Sequence, residues 1–266
     1  MSKNVFIFDI IMVYKNLSKN KIKELRSLHS KKGRVKSGMF MVEGYKSITD
    51  MIDSFELMDL ICEEEWIDKN PIFKDYADKV LIDKEGTGIS QISALSTPPE
   101  VIAIFKIPAT STHIPELKPD EIYILLDEIQ DPGNMGTIIR TCDWFGVYDI
   151  FASYGTVDIY NPKTLQSSMG SLSRVKVHYV DLKGLIENNP SMKVYGTLLD
   201  GVPLQECKID GGGLIIMGNE GNGISGSLKK LITDSIFIPP VNPESHPDSL
   251  NVGIATAIIL SHFLLK

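Results

Sequence analysis

"LLDEIQDPGNMGTIIRTCDWFGV", residues 125–147, carries an apolar strand through a turn into an amphipathic helix, and that order decides the class of fold. Asp131-Pro132-Gly133 is turn chemistry, and Asn134 reads as the cap of the helix that follows. Met135, Ile138, Ile139, Cys142 and Phe145 recur at helical spacing as one apolar stripe, which Gly146 ends. Working outward, "IYILL" (122–126), "YDIFAS" (148–153), "KVYGTLL" (193–199), "LIIMG" (214–218) and "SIFIPP" (235–240) read as strands. Helical stretches separate them around 134–145, 161–171, 225–233 and 249–265. Near-continuous apolar strands are expected where helices cover both faces of a sheet, so the sheet is predicted to be mostly parallel.

Upstream, a helix is predicted near 18–29, a strand at "GMFMVEG" (38–44), a helix over about 45–54, and strands near 57–62 and 101–106. "PATSTHIPELKPD" (108–120) has three prolines and no apolar period, and reads as a linker. The chain of 266 residues suits one large or two small domains. The expected division is an extension at 1–14, a smaller α/β domain at 15–106, a linker at 107–120 and a larger α/β domain at 121–266. "VFIFDIIMVY" (5–14) is too short to span a bilayer and lacks a signal-peptide cleavage site. It reads as an extension, with Met12 as an alternative start.

Cys62, Cys142 and Cys207 form no C-x-x-C pair, which argues for a reducing, cytoplasmic compartment with neither disulfide framework nor metal site. The net charge of −7 conceals an asymmetry: residues 15–46 carry ten Lys/Arg against Glu24 and Glu43, a local +8, leaving −15 elsewhere. A charge run is commonly a solvated face. "HSKKGRVKSG" (29–38) also reads as a glycine-broken loop suited to tracking phosphates, with Lys31, Lys32 and Arg34 as its RNA-binding candidates.

In parallel α/β sheets ligands bind at the carboxyl ends of strands. Three loops of unusual composition fall there: the one opening α-helical residues 134–145, "GNEGNGIS" (218–225), and the proline-rich run ending in "SLNVGIATA" (249–257). Gly218, Gly221 and Gly223 match neither a dinucleotide fingerprint nor a Walker loop. Glu220 in their midst would repel a polyphosphate, so a nucleotide-dependent enzyme on an ordinary doubly wound fold is disfavoured. Arg140 lies off the apolar stripe and is either a surface arginine pairing with an acid such as Asp143, or a group that forks onto an RNA phosphate or orients a ribose hydroxyl. Ser249 reads as an N-cap, and His246 as a loop residue with no partner at triad or metal spacing.

"DPGNMGTIIRT", "GNEGNGIS" and "SLNVGIATA", in series and each after a strand, resemble the three signature motifs of the SpoU branch of the SPOUT RNA methyltransferases. "NPKTLQSSMGSL" (161–172) resembles that family's Ser-Met-Gly segment, and "KKGRVKSGMFMVEGYKSI" resembles its small, ribosomal-protein-like RNA-binding domain. The resemblance implies an α/β knot, a trefoil-knotted parallel sheet flanked by helices, in a homodimer of the cytoplasm. It implies methyl transfer from S-adenosylmethionine to a ribose 2′-hydroxyl of ribosomal or transfer RNA, ribosomal being favoured. The alternative is a non-catalytic RNA-binding or ribosome-assembly protein on the same scaffold. Carried over, Leu198, Gly218, Ile238 and Leu250 hold the cofactor through main-chain groups. Arg140, Asn134, Glu220, Ser249 and Asn251 form the catalytic set, with Arg140 either activating the hydroxyl or anchoring the neighbouring phosphate. No metal is implied. Gly253 stands where the family often has serine, a difference that reads as helix packing.

Overall fold

The structure, a computed structural model, describes residues 14–109, 114–208, 211–242, 244–245 and 247–265. The readings of residues 5–13 and of His246 lie outside them. The chain divides into two compact units, residues 1–48 with 56–106, and 49–55 with 107–266.

In the first unit the elements run β1 (Lys15–Asn16), α1 (Lys19–Arg26), α2 (Lys31–Ser37), β2 (Met39–Glu43), α3 (Tyr45–Met51), β3 (Leu57–Cys62), α4 (Glu64–Lys69), β4 (Val80–Ile82), α5 (Gly88–Ile92) and β5 (Val101–Lys106). The sheet has the order β1-β4-β3-β5-β2. β4 is parallel to both its neighbours, whereas β5 runs antiparallel to β3 and β2. Leu25 and Leu28 reach from the helical layer onto Met41, Ile61, Ile102 and Ile104 of the sheet.

Residues 31–37 form a helix, not the loop expected from the central glycine. Ser30 caps it by accepting from the Gly33 amide at 3.0 Å, and Gly38, at φ 67°, ends it. Glycine is required at 33 by proximity: a Cβ there would lie 1.9 Å from the Ser27 carbonyl oxygen. Arg34 is consequently turned inward and is only 2 % exposed, its Nη1 donating to the carbonyls of Leu28 (2.8 Å) and His29 (3.1 Å). Its expected role as a phosphate contact is corrected, because the guanidinium is spent on fastening the turn before α2. Lys31 and Lys32 are exposed on the same helix.

The second unit contains β6 (Ile122–Leu126), α6 (Pro132–Trp144), β7 (Asp149–Ala152), α7 (Pro162–Ser168), β8 (Lys176–Tyr179), α8 (Leu182–Glu187), β9 (Val194–Pro203), β10 (Gly213–Met217), α9 (Gly226–Lys229), β11 (Asp234–Phe237) and α10 (Val252–Leu264). Its six strands are ordered β11-β9-β10-β6-β7-β8, and every pairing is parallel. β10 is buried along its whole length, as a central strand covered on both faces must be. Leu125, Phe151, Val194, Leu214 and Ile216 form one core with Leu182, Leu185 and Ile186 of α8.

Two caps differ from expectation. Asp131, not Asn134, caps α6 by accepting from the Asn134 amide at 2.9 Å, since Pro132 occupies the first helical position and needs no partner. Asn251, not Ser249, caps α10, accepting from Gly253 (3.0 Å) and Ile254 (3.2 Å). α7 stops at Ser168 because Met169 and Gly170 both turn left-handed, at φ 50° and 84°. At Gly253 a Cβ would lie 2.9 Å from the Thr137 methyl, so glycine lets α10 pack closely on α6.

Candidate active site

The carboxyl ends of β6, β10 and β11 bring the three singled-out loops together. In the first, the amide of Asp127 extends the ladder to the Met217 carbonyl (3.0 Å), and its carboxylate accepts from the Ser225 amide at 2.6 Å. Glu128 follows at φ 56°, a left-handed conformation that costs a side-chain-bearing residue about 1–3 kcal/mol. It is held from two sides, donating its amide to Ser153 Oγ (2.9 Å) and accepting from Asn219 Nδ2 at its carbonyl (2.7 Å).

The second loop folds back onto the end of its own strand. Asn219 and Gly223 exchange amide-to-carbonyl bonds of 3.1 and 2.9 Å, and Asn219 Oδ1 accepts from the amides of Gly221 and Asn222, both at 2.9 Å. A Cβ on Gly218 would fall 2.5 Å from the Gly223 carbonyl carbon and the Ile224 nitrogen, so only glycine permits this fold-back.

Glu220 points from that loop into the first. Its carboxylate accepts from the amides of Gln130 (3.2 Å) and Asp131 (3.3 Å) and from Asn134 Nδ2 (3.0 Å). Burial opposes ionisation of this carboxyl, but the hydrogen bonds from Asn134 and the main chain outweigh it and hold the group below its usual value of 4.5. Asn134 Oδ1 in turn accepts from Asn251 Nδ2 at 2.8 Å. A side-chain chain, Glu220 to Asn134 to Asn251, thus links all three loops. Asp131, pulled down in pKa by its ion pair with Lys163 (2.9 Å), fixes the start of α6.

These loops and the middle of β9, residues 197–200, line a cavity of about 980 Å³. Leu198, Gly218, Ile238 and Leu250 all line it, as do Asn134, Glu220, Ser249 and Asn251. Arg140 does not. It is exposed in the third turn of α6. The alternative pairing with Asp143 is overturned: Arg174 takes that carboxylate through Nε (3.0 Å to each oxygen) and Nη2 (2.7 Å). Among the described residues Arg140 has no hydrogen-bonding or ionic partner. Sequence reasoning passed over Asn219 and Asp131, whose side-chain-to-main-chain turns are visible in Asn-x-Gly and Asp-Pro-Gly spacing. Among the described residues no group of three or more His, Cys, Asp or Glu could hold a metal ion, and no helix is long and apolar enough to cross a membrane.

Fold and site together define an α/β protein with a cavity at the carboxyl edge of a parallel sheet, lined in large part by glycine main chain and apolar side chains. The family described as SpoU rRNA Methylase matches residues 121–261, more than half of the chain, and the chain belongs to that family. An MRM3-like substrate binding domain matches residues 19–103. The Bacillus subtilis protein named 23S rRNA (guanosine(2553)-2'-O)-methyltransferase RlmP is 31% identical over 257 residues, covering 91% of this chain and 95% of that protein. A 23S rRNA (uridine(2479)-2'-O)-methyltransferase of Streptomyces viridochromogenes is 29% identical over 176 residues, 61% of this chain and 59% of its own length. The AdoMet-bound rRNA methyltransferase of Sinorhizobium meliloti superposes with a TM-score of 0.80 at 27% identity, covering 93% of this chain and 95% of that one.

Proposed function

We propose that this chain transfers a methyl group from S-adenosylmethionine to a ribose 2′-hydroxyl of ribosomal RNA. The observation that carries the reading is the convergence of three strand-end loops on one cavity whose walls are glycine main chain, apolar side chains and carboxylates. Such walls fit the donor, which bears a net positive charge and needs no phosphate cradle. The volume suits a ligand of nucleoside size.

When bound, S-adenosylmethionine supplies an electrophilic methyl on a sulfonium. The protein's share is placement, which dominates the rate of a two-centre displacement. Main-chain groups at Leu198, Gly218, Ile238 and Leu250 hold the donor, and the Glu220–Asn134–Asn251 chain fixes the loops that carry them. Ser249 lies on the lining without a hydrogen-bond partner among the described residues and is available to the substrate. Arg140 offers five N–H donors in a planar fork and no acceptor, so it anchors the phosphate beside the target and stabilises the charge developing on the 2′-oxygen.

Residues 15–106 form the RNA-binding domain in this reading, 107–120 the linker and 121–266 the catalytic domain. Lys31 and Lys32 meet phosphates. Replacing both with alanine is expected to weaken RNA binding across sequences and to reduce the salt slope by about 1.4–1.8, checked by filter binding at several ionic strengths. Arg34→Ala should instead lower the melting temperature and leave that slope unchanged, because it removes the donor to the buried Leu28 carbonyl and the part-buried His29 carbonyl.

The trefoil knot is supported by the strand order: β10 inserts between β9 and β6, β11 closes the far edge, and α10 then returns to pack on α6. Homodimerisation is supported by Ile254 and Ile258, one helical turn apart on α10 and exposed by 49% and 38%. Changing both to aspartate is expected to convert dimers to monomers in sedimentation. Free Cys62 and Cys142, both buried, accord with a cytoplasmic setting.

The function is tested by mapping 2′-O-methyl groups in ribosomal RNA from cells with and without the protein. Loss of one site is expected. An unchanged map, with no heat of binding when S-adenosylmethionine is titrated in, would leave only an RNA-binding role.

A further inference from the structure

Beyond the cavity, the carboxyl edge carries one more feature that the transfer reading leaves unused. Ser153 to Thr156 forms a tight turn after β7, closed by the Thr156 amide on the Ser153 carbonyl at 2.9 Å. Its tip is Tyr154, a large aromatic side chain that is 75% exposed. Among the described residues neither its ring nor its hydroxyl has a partner.

The turn beneath it is fixed from several directions. Ser153 donates its amide to the Leu126 carbonyl (2.9 Å), and its Oγ accepts from the Glu128 amide. Thr156 Oγ1 donates to the Leu126 carbonyl at 3.2 Å, and Val157 donates its amide to the Ile129 carbonyl at 2.9 Å. Gln130 joins this turn to the site: its Nε2 donates to the Gly155 carbonyl at 2.7 Å, while its amide donates to Glu220. One residue therefore separates the base of Tyr154 from the carboxylate that organises the cavity.

An unpartnered aromatic ring carried on a pinned turn, at the same sheet edge as a site that takes a ribose, calls for a flat apolar partner. On RNA that partner is a base freed from its helix. Proteins that act on unpaired nucleotides hold them by stacking on aromatic rings. We propose that Tyr154 is the stacking platform for the base of the nucleotide whose ribose is methylated, an assignment that rests on the transfer reading above. Stacking would fix the sugar's orientation while tolerating any base, leaving sequence choice to the remainder of the RNA.

The test compares Tyr154→Ala, Tyr154→Phe and Tyr154→Trp. With the RNA fragment carrying the mapped site, the alanine variant should raise KM for RNA about tenfold with donor affinity unchanged, and the two aromatic variants should restore it. On the same fragment lacking the target base, wild type and the alanine variant should have equal KM. A KM for the alanine variant equal to wild type would overturn the proposal, as would a phenylalanine variant as impaired as alanine, or a defect that persists on the abasic fragment. Filter binding of total ribosomal RNA reads the platform without turnover. Weaker binding by the alanine variant alone is expected there, and equal binding by all four proteins would overturn the assignment. Absence of transfer by the wild type would refute the methyl-transfer reading instead.

Discussion

Arg140→Ala is expected to lower kcat for methyl transfer about a hundred- to a thousandfold while leaving the affinity for S-adenosylmethionine unchanged. The split follows from position. Arg140 is exposed and absent from the cavity wall, so the donor does not need it, and the nearest acid along its helix, Asp143, is held by Arg174. Removing one hydrogen-bond donor aimed at charge building on an oxygen costs roughly 3–4 kcal/mol in other enzymes. Single-turnover rates and calorimetric titration of the donor measure the two quantities separately. Arg140→Lys keeps the charge and loses the two-pronged geometry. Recovery of most of the rate by lysine would show that a point charge suffices. Near-normal turnover in the alanine variant would remove Arg140 from the reaction altogether.

Gly218→Ala should have the converse signature: donor binding weakened by at least about tenfold, with a loss of stability of about 1–3 kcal/mol. The new methyl would collide with main-chain atoms of Gly223 and Ile224, which have no rotamer through which to escape. The loop would have to open, breaking the Asn219–Gly223 bridge and drawing Glu220 away from Asn134. Gly226→Ala is the matched control. Nothing lies within 4 Å of a Cβ there, and the residue begins α9 at an ordinary backbone conformation. Titration calorimetry and thermal melts on both variants decide the point; unimpaired binding by Gly218→Ala would show that the loop tolerates displacement.

The strand-turn-helix segments were readable in the sequence because their signals are local. Asp-Pro-Gly, Asn-Glu-Gly-Asn-Gly and the run before α10 each announce a turn at the end of an apolar strand, and those turns are where the cavity lies. What the sequence hid was whatever depended on distant neighbours. β8 went unrecognised because it is an outer strand bearing Lys176 and His178, and such a strand shows no apolar run. β4 has only three residues. The helix at 31–37 reads as a loop because Gly33 looks like a breaker until Ser27 is seen pressed against it. For the same reason Arg34 could not be told from Lys31 and Lys32: burial of one basic residue among several leaves no trace in composition. The strand order, which seats β10 between β9 and β6, is likewise a property of long-range pairing.

The Glu220–Asn134–Asn251 chain draws on one residue that follows the first strand of the sheet, one that lies between its last two strands and one that comes after all of them. During synthesis from the amino end, therefore, most of the scaffold can be built before the ligand chamber exists. Competence to receive a small molecule arrives as the closing act of assembly, and a polypeptide halted just short of Asn251 would own nearly the whole architecture without its purpose.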